Sequence, residues 1–116
     1  MSRHSEAVYL HHMLDYARAA VDMAAGKERS SLDSEPMLRY ALLHLVSILG
    51  EAANRVSVEN RSKYGQIAWR DMVSMRNMLI HGYDIVDMDI LWKTIEEDIP
   101  PLIGVLQAIL AEEGNP

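Results

Sequence analysis

The sequence contains no cysteine and no phenylalanine, and it has fewer basic than acidic side chains. Without cysteine, neither a disulfide framework nor a thiolate metal site can form, which favours a cytoplasmic protein. The 11 lysine and arginine residues against 17 aspartate and glutamate residues give a net charge of −6. This balance argues against a broadly basic protein that binds nucleic acid nonspecifically, although a local basic cleft is compatible with it.

Long apolar runs are also missing from the chain. No uninterrupted apolar stretch approaches the roughly 20 residues that a membrane helix requires, and the polar start, Met1 to Glu6, contains no apolar signal-peptide core. The 116 residues have ordinary globular composition, with 49% hydrophobic and 24% charged residues. We therefore expect a single domain over residues 1–116 that does not enter a membrane.

The spacing of apolar residues predicts an all-α domain built as an antiparallel four-helix bundle. Alanine, leucine and methionine are frequent, and no strand-like alternation interrupts the pattern. The first helix is expected over about Ser5 to Ala25, with Gly26 ending it. A polar loop, Lys27 to Asp33, leads to a second helix that Ser34 caps. The apolar face of that helix is expected to comprise Leu38, Leu42, Leu45, Leu49 and Ala52.

Two further helices complete the predicted bundle. After a polar stretch from Ser57 to Gly65, the third helix is expected over about Gln66 to Ile80. Asp87, or the nearby Asp84, is expected to start the last helix. Pro100-Pro101 lies inside this helix, and we expect a kink or a break there. The apolar face of the last helix is expected to contain Leu91, Ile95, Leu102, Leu106 and Ile109.

The end of the third helix concentrates side chains that suit phosphoryl chemistry. Arg76, Asn77, His81 and Tyr83 lie within eight residues of one another. An arginine fork can neutralise a phosphate and the charge that builds on it in the transition state. A histidine titrates near neutral pH and can therefore move a proton. In RNA the neighbouring 2′-hydroxyl is the nucleophile, so such a site needs no metal.

Helical geometry sets a condition on this site. At about 100° per residue, Arg76 and His81 are roughly 140° apart on a regular helix and point in different directions. The two side chains converge only if the helix distorts or ends before His81, or if a second subunit completes the site. Gly82 makes a helix end there reasonable. Asn77 and His81, four residues apart, share a face, so Asn77 either orients His81 or is only a surface amide.

The Arg-x4-His spacing also occurs at Arg39 and His44, within the apolar second helix. There, no asparagine follows the arginine and no Gly-Tyr pair follows the histidine. The longer pattern Arg76-Asn77-x-x-x-His81-Gly82-Tyr83 is therefore the informative one. It resembles the Arg-x4-His-x-Tyr signature of HEPN-domain toxins of the HepT-like group, as do the preceding Trp69-Arg70-Asp71 and the upstream Leu49-Gly50-Glu51-Ala52-Ala53.

The resemblance implies a function that composition does not show. HEPN domains are helical bundles that dimerise so that two Arg/His motifs face one cleft, which implies a homodimer or higher homo-oligomer here. HepT-like proteins are metal-independent endoribonuclease toxins paired with a small nucleotidyltransferase antitoxin, in a type VII-like toxin–antitoxin system. By this resemblance, Arg76 and His81 are catalytic, Asn77 supports them, RNA is the substrate, and Tyr83 accepts AMP from the partner, which silences the toxin.

Other side chains have two readings from sequence alone. Glu51 is either a buried carboxylate that pairs with a cation such as Arg76, as a second layer of the site, or a solvated surface residue. Adjacent His11 and His12 point to different sides of a helix, and no carboxylate–histidine pair completes a metal site, so neither a metal nor another cofactor is expected.

A rival interpretation is a binding module rather than an enzyme. The chain would then be a catalytically inactive HEPN subunit that serves a nucleotidyltransferase partner, and its acidic balance favours this reading. A purely structural helical adaptor is a third reading, in which Arg76 and His81 do not affect function.

Overall fold

The computed structural model describes residues 3–79 and 87–113, and the side chains of residues 6–74 and 87–112. Every regular element in these ranges is helical, which confirms the predicted all-α class. Four long helical stretches form the bundle, and two short helices lie in its connections. The elements are α1 (Arg3–Ala24), α2 (Ser31–Ser34), α3 (Pro36–Asn54), α4 (Val58–Lys63), α5 (Trp69–Leu79), α6 (Met88–Lys93), a π-helical segment (Thr94–Asp98) and α7 (Ile99–Glu113).

The first helix ends where the sequence predicts. Gly26 adopts a φ of +77°, a left-handed conformation that glycine accepts without strain from a Cβ atom. The backbone N–H of Lys27 donates to the carbonyl of Ala24 at 3.0 Å, which closes the last turn. The chain then reverses direction toward α2.

The connection from α1 to α3 is more ordered than a polar loop. It contains the short helix α2, whose Leu32 is fully buried. The Arg39 guanidinium donates to the carbonyl of Leu32 at 2.7 Å. The prediction that Ser34 caps the second long helix is wrong, because Ser34 ends α2 and Glu35 occupies the cap position without a side-chain bond. Pro36 in the first turn supplies the helical start instead.

The inner face of α3 differs by one position from the predicted stripe. Leu38, Leu42 and Leu49 are buried as expected, but Val46 is fully buried whereas Leu45 is only half-buried. Both positions fit the 3.6-residue period of the helix, so the packing of α3 against its neighbours, rather than the period, selects Val46 over Leu45. The small residues Gly50 and Ala53 continue this face toward its end.

The polar stretch after α3 contains α4, a helix that the sequence analysis does not predict. The Ser57 hydroxyl caps it by accepting from the backbone N–H of Asn60 at 3.3 Å. Across the bundle, the Glu6 carboxylate on α1 accepts from the backbone N–H of Ser57 at 2.6 Å. Because this hydrogen bond favours the ionised carboxylate, the pKa of Glu6 is lowered from its ordinary value.

The last helix is continuous from α6 through the π-helical segment into α7. Asp87 caps it as predicted, accepting from the backbone N–H groups of Asp89 and Ile90 at 3.0 and 3.1 Å. The backbone N–H of Ile99 donates to the carbonyl of Thr94, five residues earlier. This wide π turn comes immediately before Pro100-Pro101. In a regular α-helix, each proline ring would clash with the carbonyl group four residues earlier. The expected irregularity is therefore a π turn rather than a break.

Helices α1 and α3 form the centre of the bundle. Helix α3 packs against α1 on one side and α5 on another, and α7 packs along α1. The predicted apolar face of the last helix is confirmed throughout, since Leu91, Ile95, Leu102, Leu106 and Ile109 are all buried. Among the described residues, no helix has the length and apolarity needed to cross a membrane.

Candidate functional site

Helix α5 carries the first half of the predicted site. It is a regular α-helix from Trp69 to Leu79, so Arg76 and Asn77 both lie in helical backbone. It starts at Trp69 rather than Gln66. Position 76 follows Trp69 by seven residues and Met72 by four, and these two side chains are buried. By helical register, position 76 therefore lies on the same face of α5 as Trp69 and Met72.

The start of α5 is held by three contacts that the sequence does not predict. The Trp69 indole N–H donates to the carbonyl of Tyr64 at 3.0 Å, in a buried position. The Arg61 guanidinium lies over the Trp69 ring at 6.0 Å. Arg61 also donates to the carbonyls of Val56 at 2.9 Å and Ala53 at 3.4 Å, at the end of α3. Since α5 packs along α3 and starts beside its end, the two helices run antiparallel.

The second half of the predicted site, His81, Gly82 and Tyr83, lies outside the described residues. The side chains of Arg76 and Asn77 also lie outside them. Convergence of the guanidinium and the imidazole therefore stays a prediction. What the structure establishes is the helical backbone that leads to this motif, up to Leu79, and the point at which the chain is described again, Asp87.

Glu51 lies on α3, one turn before the end of that helix. Its side chain is 40% exposed, and its carboxylate lies 3.9 Å from the guanidinium of Arg55, which is 60% exposed. Its position is thus intermediate between the buried and the solvated readings. A role for Glu51 in supporting Arg76 stays a prediction.

The second Arg-x4-His pair has a structural explanation. The Arg39 guanidinium donates to the carbonyls of Leu32 at 2.7 Å and Asp33 at 3.5 Å, and it lies 5.1 Å from the centre of the Tyr40 ring. These contacts hold α2 against α3. His44 is exposed. This arginine is therefore already engaged by the protein's own carbonyl groups and is not available for a phosphate.

Within residues 6–74 and 87–112, no group of three histidine, aspartate or glutamate side chains could hold a metal ion.

Two basic side chains near the end of α3 are engaged in contacts within the protein. Arg61 is committed to backbone carbonyls, and the Lys63 ammonium lies 5.3 Å from the centre of the Tyr64 ring. These two cations are therefore already engaged by the protein's own carbonyl group and aromatic ring.

Comparison with known proteins gives one family match. The sequence model of the family described as "Ribonuclease HepT-like" matches residues 13–109. This range contains α3, α5 and the whole segment from Arg76 to Tyr83, and it extends into α7. No solved structure matches the chain.

Curated relatives cover nearly the same span. A protein of Methanocaldococcus jannaschii named "Putative RNase MJ1380" is 30% identical over 102 residues, which cover 88% of this chain and 94% of the relative. A protein of Caldanaerobacter subterraneus subsp. tengcongensis named "Putative RNase TTE0752" is 31% identical over 90% of this chain and 94% of its own length. The "Probable ribonuclease HepT" of Thermococcus cleftensis is 38% identical over 61% of this chain and 64% of its own length.

Proposed function

Because the chain belongs to the HepT-like ribonuclease family, we propose that it is a metal-independent endoribonuclease whose catalytic groups are Arg76 and His81. The observation that carries this proposal is the family match over residues 13–109, which includes the complete Arg76-Asn77-x-x-x-His81-Gly82-Tyr83 segment. A family match assigns a reaction class only through the residues of a site, and here the motif supplies residue types that suit RNA cleavage.

The proposed reaction uses the RNA's own 2′-hydroxyl. The 2′-oxygen attacks the adjacent phosphorus, the bond from phosphorus to the 5′-oxygen breaks, and the products are a 2′,3′-cyclic phosphate and a 5′-hydroxyl end. Arg76 neutralises the charge on the phosphorane oxygens. His81 takes the proton from the 2′-hydroxyl or supplies one to the leaving 5′-oxygen. Asn77 orients the imidazole. A homodimer would place a second histidine in the same cleft, so that one accepts a proton while the other donates one.

The anchored start of α5 supports this proposal. Helix α5 is anchored at its start by the buried bond from Trp69 to Tyr64 and by Arg61 on the end of α3. Precise placement of reacting groups is worth several orders of magnitude in rate. A helix that is anchored at its start is a suitable support for catalytic residues.

We further propose that the enzyme acts as the toxin of a toxin–antitoxin pair. Tyr83 would accept AMP from a small nucleotidyltransferase, which blocks the site with a bulky anionic group two residues from His81. The support for this step is the motif tyrosine itself. Incubation of the chain with a small nucleotidyltransferase of this type and ATP, followed by mass spectrometry, would test it, and a peptide containing Tyr83 that stays unmodified would contradict it.

The central experiment is RNA cleavage by the purified chain in EDTA. We expect fragments with 2′,3′-cyclic phosphate ends, which mass spectrometry identifies. Loss of cleavage in EDTA, with recovery on adding Mg²⁺ or Mn²⁺, would contradict the proposed chemistry. Light scattering of the same sample tests the homodimer, which a monomer mass would exclude.

The second candidate is a catalytically inactive subunit that binds a nucleotidyltransferase. The net charge of −6 favours it, since the chain as a whole repels RNA. The two functions separate in one assay: the inactive subunit leaves RNA intact under every metal condition but still associates with the nucleotidyltransferase.

A further inference from the structure

A groove lies between α5 and the last helix, on the side of the bundle where these two elements do not pack closely. Its volume is about 480 Å³. In the described residues, α5 packs against α3 and α7 packs against α1, and close contacts between α5 and α7 are few. The space between α5 and α7 is therefore left open. Its lining is Gln66, Ile67, Ala68, Asp71, Met72, Ser74, Lys93, Thr94, Glu97, Asp98, Pro101, Leu102 and Val105.

The groove has an apolar floor and an acidic rim. Ile67, Met72 and Leu102 reach the floor from the core. Around the rim are three exposed carboxylates, Asp71 from α5 and Glu97 and Asp98 from the π-helical segment, with Lys93 as the one cationic member of the lining. None of the three carboxylates is ion-paired within the part of the chain that the structure describes. The rim therefore carries an excess of negative charge that faces solvent.

The wall formed by the last helix has irregular geometry. The π-helical segment from Thr94 to Asp98 adds a wide turn to the helix, and such turns are frequent at functional sites. It places Glu97 and Asp98 on the rim, while the Thr94 hydroxyl is satisfied by donating to the carbonyl of Ile90 at 2.8 Å. The π-helical segment, where the helical hydrogen bonding is irregular, thus carries two of the three carboxylates on the rim of the groove.

We propose that this groove binds a segment of a partner protein that carries lysine or arginine side chains around an apolar anchor. Charge complementarity identifies the partner, because a negative rim attracts cationic side chains and repels RNA. The apolar floor provides a place for one large side chain, as in the centre of protein interfaces. On the last helix the lining runs from Lys93 to Val105, roughly 18 Å at the helical rise per residue, which favours an elongated segment over a small molecule. This proposal does not depend on ribonuclease activity.

The test uses a fluorescein-labelled helical peptide of about 14 residues, long enough for roughly 20 Å, with leucines on one face and lysines and arginines beside them. A matched peptide replaces the basic residues with glutamate. When the full chain is titrated into each labelled peptide, the fluorescence anisotropy should rise for the basic peptide only. The affinity for the basic peptide should fall as the salt concentration rises from about 50 to about 300 mM. Absence of binding by the wild-type chain, or equal binding of both peptides, would overturn the proposal.

Two charge variants separate the groove from overall charge. Asp71→Asn with Glu97→Gln and Asp98→Asn should weaken binding by about tenfold or more. The control changes three exposed carboxylates outside the groove, Asp15→Asn, Asp22→Asn and Glu112→Gln, and therefore has the same net charge. It should bind as the wild type does. Equal weakening in both variants would reduce the effect to bulk electrostatics and overturn the proposal.

A third variant, Ala68→Trp, fills the groove without changing its charge, at an exposed position before α5. It should also lose peptide binding while circular dichroism shows unchanged helicity. Retained binding would contradict a role for the floor. Displacement of the peptide by spermidine at equal concentration would identify a general attraction for cations instead. A groove variant that dissociates a dimer seen by light scattering would assign the groove to a second copy of this chain, and either result overturns the proposal.

Discussion

Arg39 and His44 on α3 have the same spacing as Arg76 and His81, yet the two regions differ in what surrounds them. Arg39 is used by the fold, since its guanidinium bonds to the carbonyls of Leu32 and Asp33. His44 is exposed on the same helix with no second motif residue beside it. Arg76 lies near the end of the described part of α5, on a helix whose start is anchored, and the rest of the motif follows it in the sequence.

The comparison shows that spacing alone carries little functional information. A regular helix keeps residues five apart on different faces, so an arginine and a histidine at this spacing meet only where the helix ends or another subunit contributes. On α3 the helix continues past His44 for ten residues, to Asn54. The α5 copy is followed instead by Gly82, a residue suited to ending a helix. The sequence context, rather than the pair, distinguishes the two regions.

The largest expected effects come from substitutions in the Arg76 and His81 pair. His81→Ala should lower the rate of RNA cleavage roughly 100- to 10,000-fold, because general acid–base catalysis by one histidine is worth about that much. Arg76→Ala should lower it about 100- to 1,000-fold through loss of transition-state charge stabilisation. Single-turnover cleavage in EDTA measures both. Wild-type rates in either variant would remove the residue from the mechanism.

The matched controls are the same changes in the other copy. Arg39→Ala and His44→Ala should leave the cleavage rate within about twofold of the wild type. Arg39→Ala should instead lower the free energy of unfolding by about 1–2 kcal/mol, since two carbonyls lose their donor, and urea denaturation measures this. Similar losses of cleavage from both copies would show that neither pair acts as a specific site.

A smaller change tests whether the tyrosine beside the motif is special. Tyr83→Phe removes only one hydroxyl, and we expect it to abolish AMP transfer by the nucleotidyltransferase while RNA cleavage changes by less than about threefold, consistent with a side chain outside the proton transfers. The control is Tyr40→Phe, because Tyr40 is 64% exposed and follows Arg39. Intact-mass spectrometry measures the added AMP, and modification of the Tyr83→Phe chain would reassign the acceptor.

The features that sequence predicts well are local ones. Gly26 as a helix end, Asp87 as a cap and the apolar face from Leu91 to Ile109 each depend on a few neighbouring residues. The prediction that Ser34 caps the second long helix was wrong, because a short helix that is held by the buried Leu32 ends where the cap was expected. A cap is decided by local chemistry only when no tertiary contact competes with it.

The features that sequence misses depend on contacts between distant segments. Arg61 supports the start of α5 through one carbonyl at the end of α3 and one just after it, and nothing in its sequence neighbourhood distinguishes it from a solvated arginine. The groove arises from the separation between α5 and α7, which the spacing of apolar residues in the sequence does not predict. The candidate site was predicted from its residue types, but whether Arg76 and His81 converge is a question of geometry that spacing cannot answer.

The smallest expected effect concerns the foundation of the motif helix. The Glu6 carboxylate accepts from the backbone N–H of Ser57 at 2.6 Å and so holds α4, which precedes α5, against α1. Arg39 holds its own region through hydrogen bonds from its guanidinium to carbonyl groups, whereas the bond from Ser57 depends on the charge of the Glu6 carboxylate. Its lowered pKa means that the folded state prefers the ionised form, so this stabilisation is present at neutral pH and is lost as pH falls through the folded-state pKa.

Glu6→Gln should therefore lower the melting temperature slightly at pH 7, and the difference from the wild type should shrink as the pH falls through the folded-state pKa of Glu6, which lies below its ordinary value. Thermal melts across this range measure it. Glu59→Gln is the control, because Glu59 is exposed on α4 itself. A pH-independent difference for Glu6→Gln would mean that packing, rather than the charged hydrogen bond, fixes α4. The motif helix would then depend on the contacts of Arg61 and Trp69, as the region of Arg39 depends on the bonds of that guanidinium to carbonyl groups.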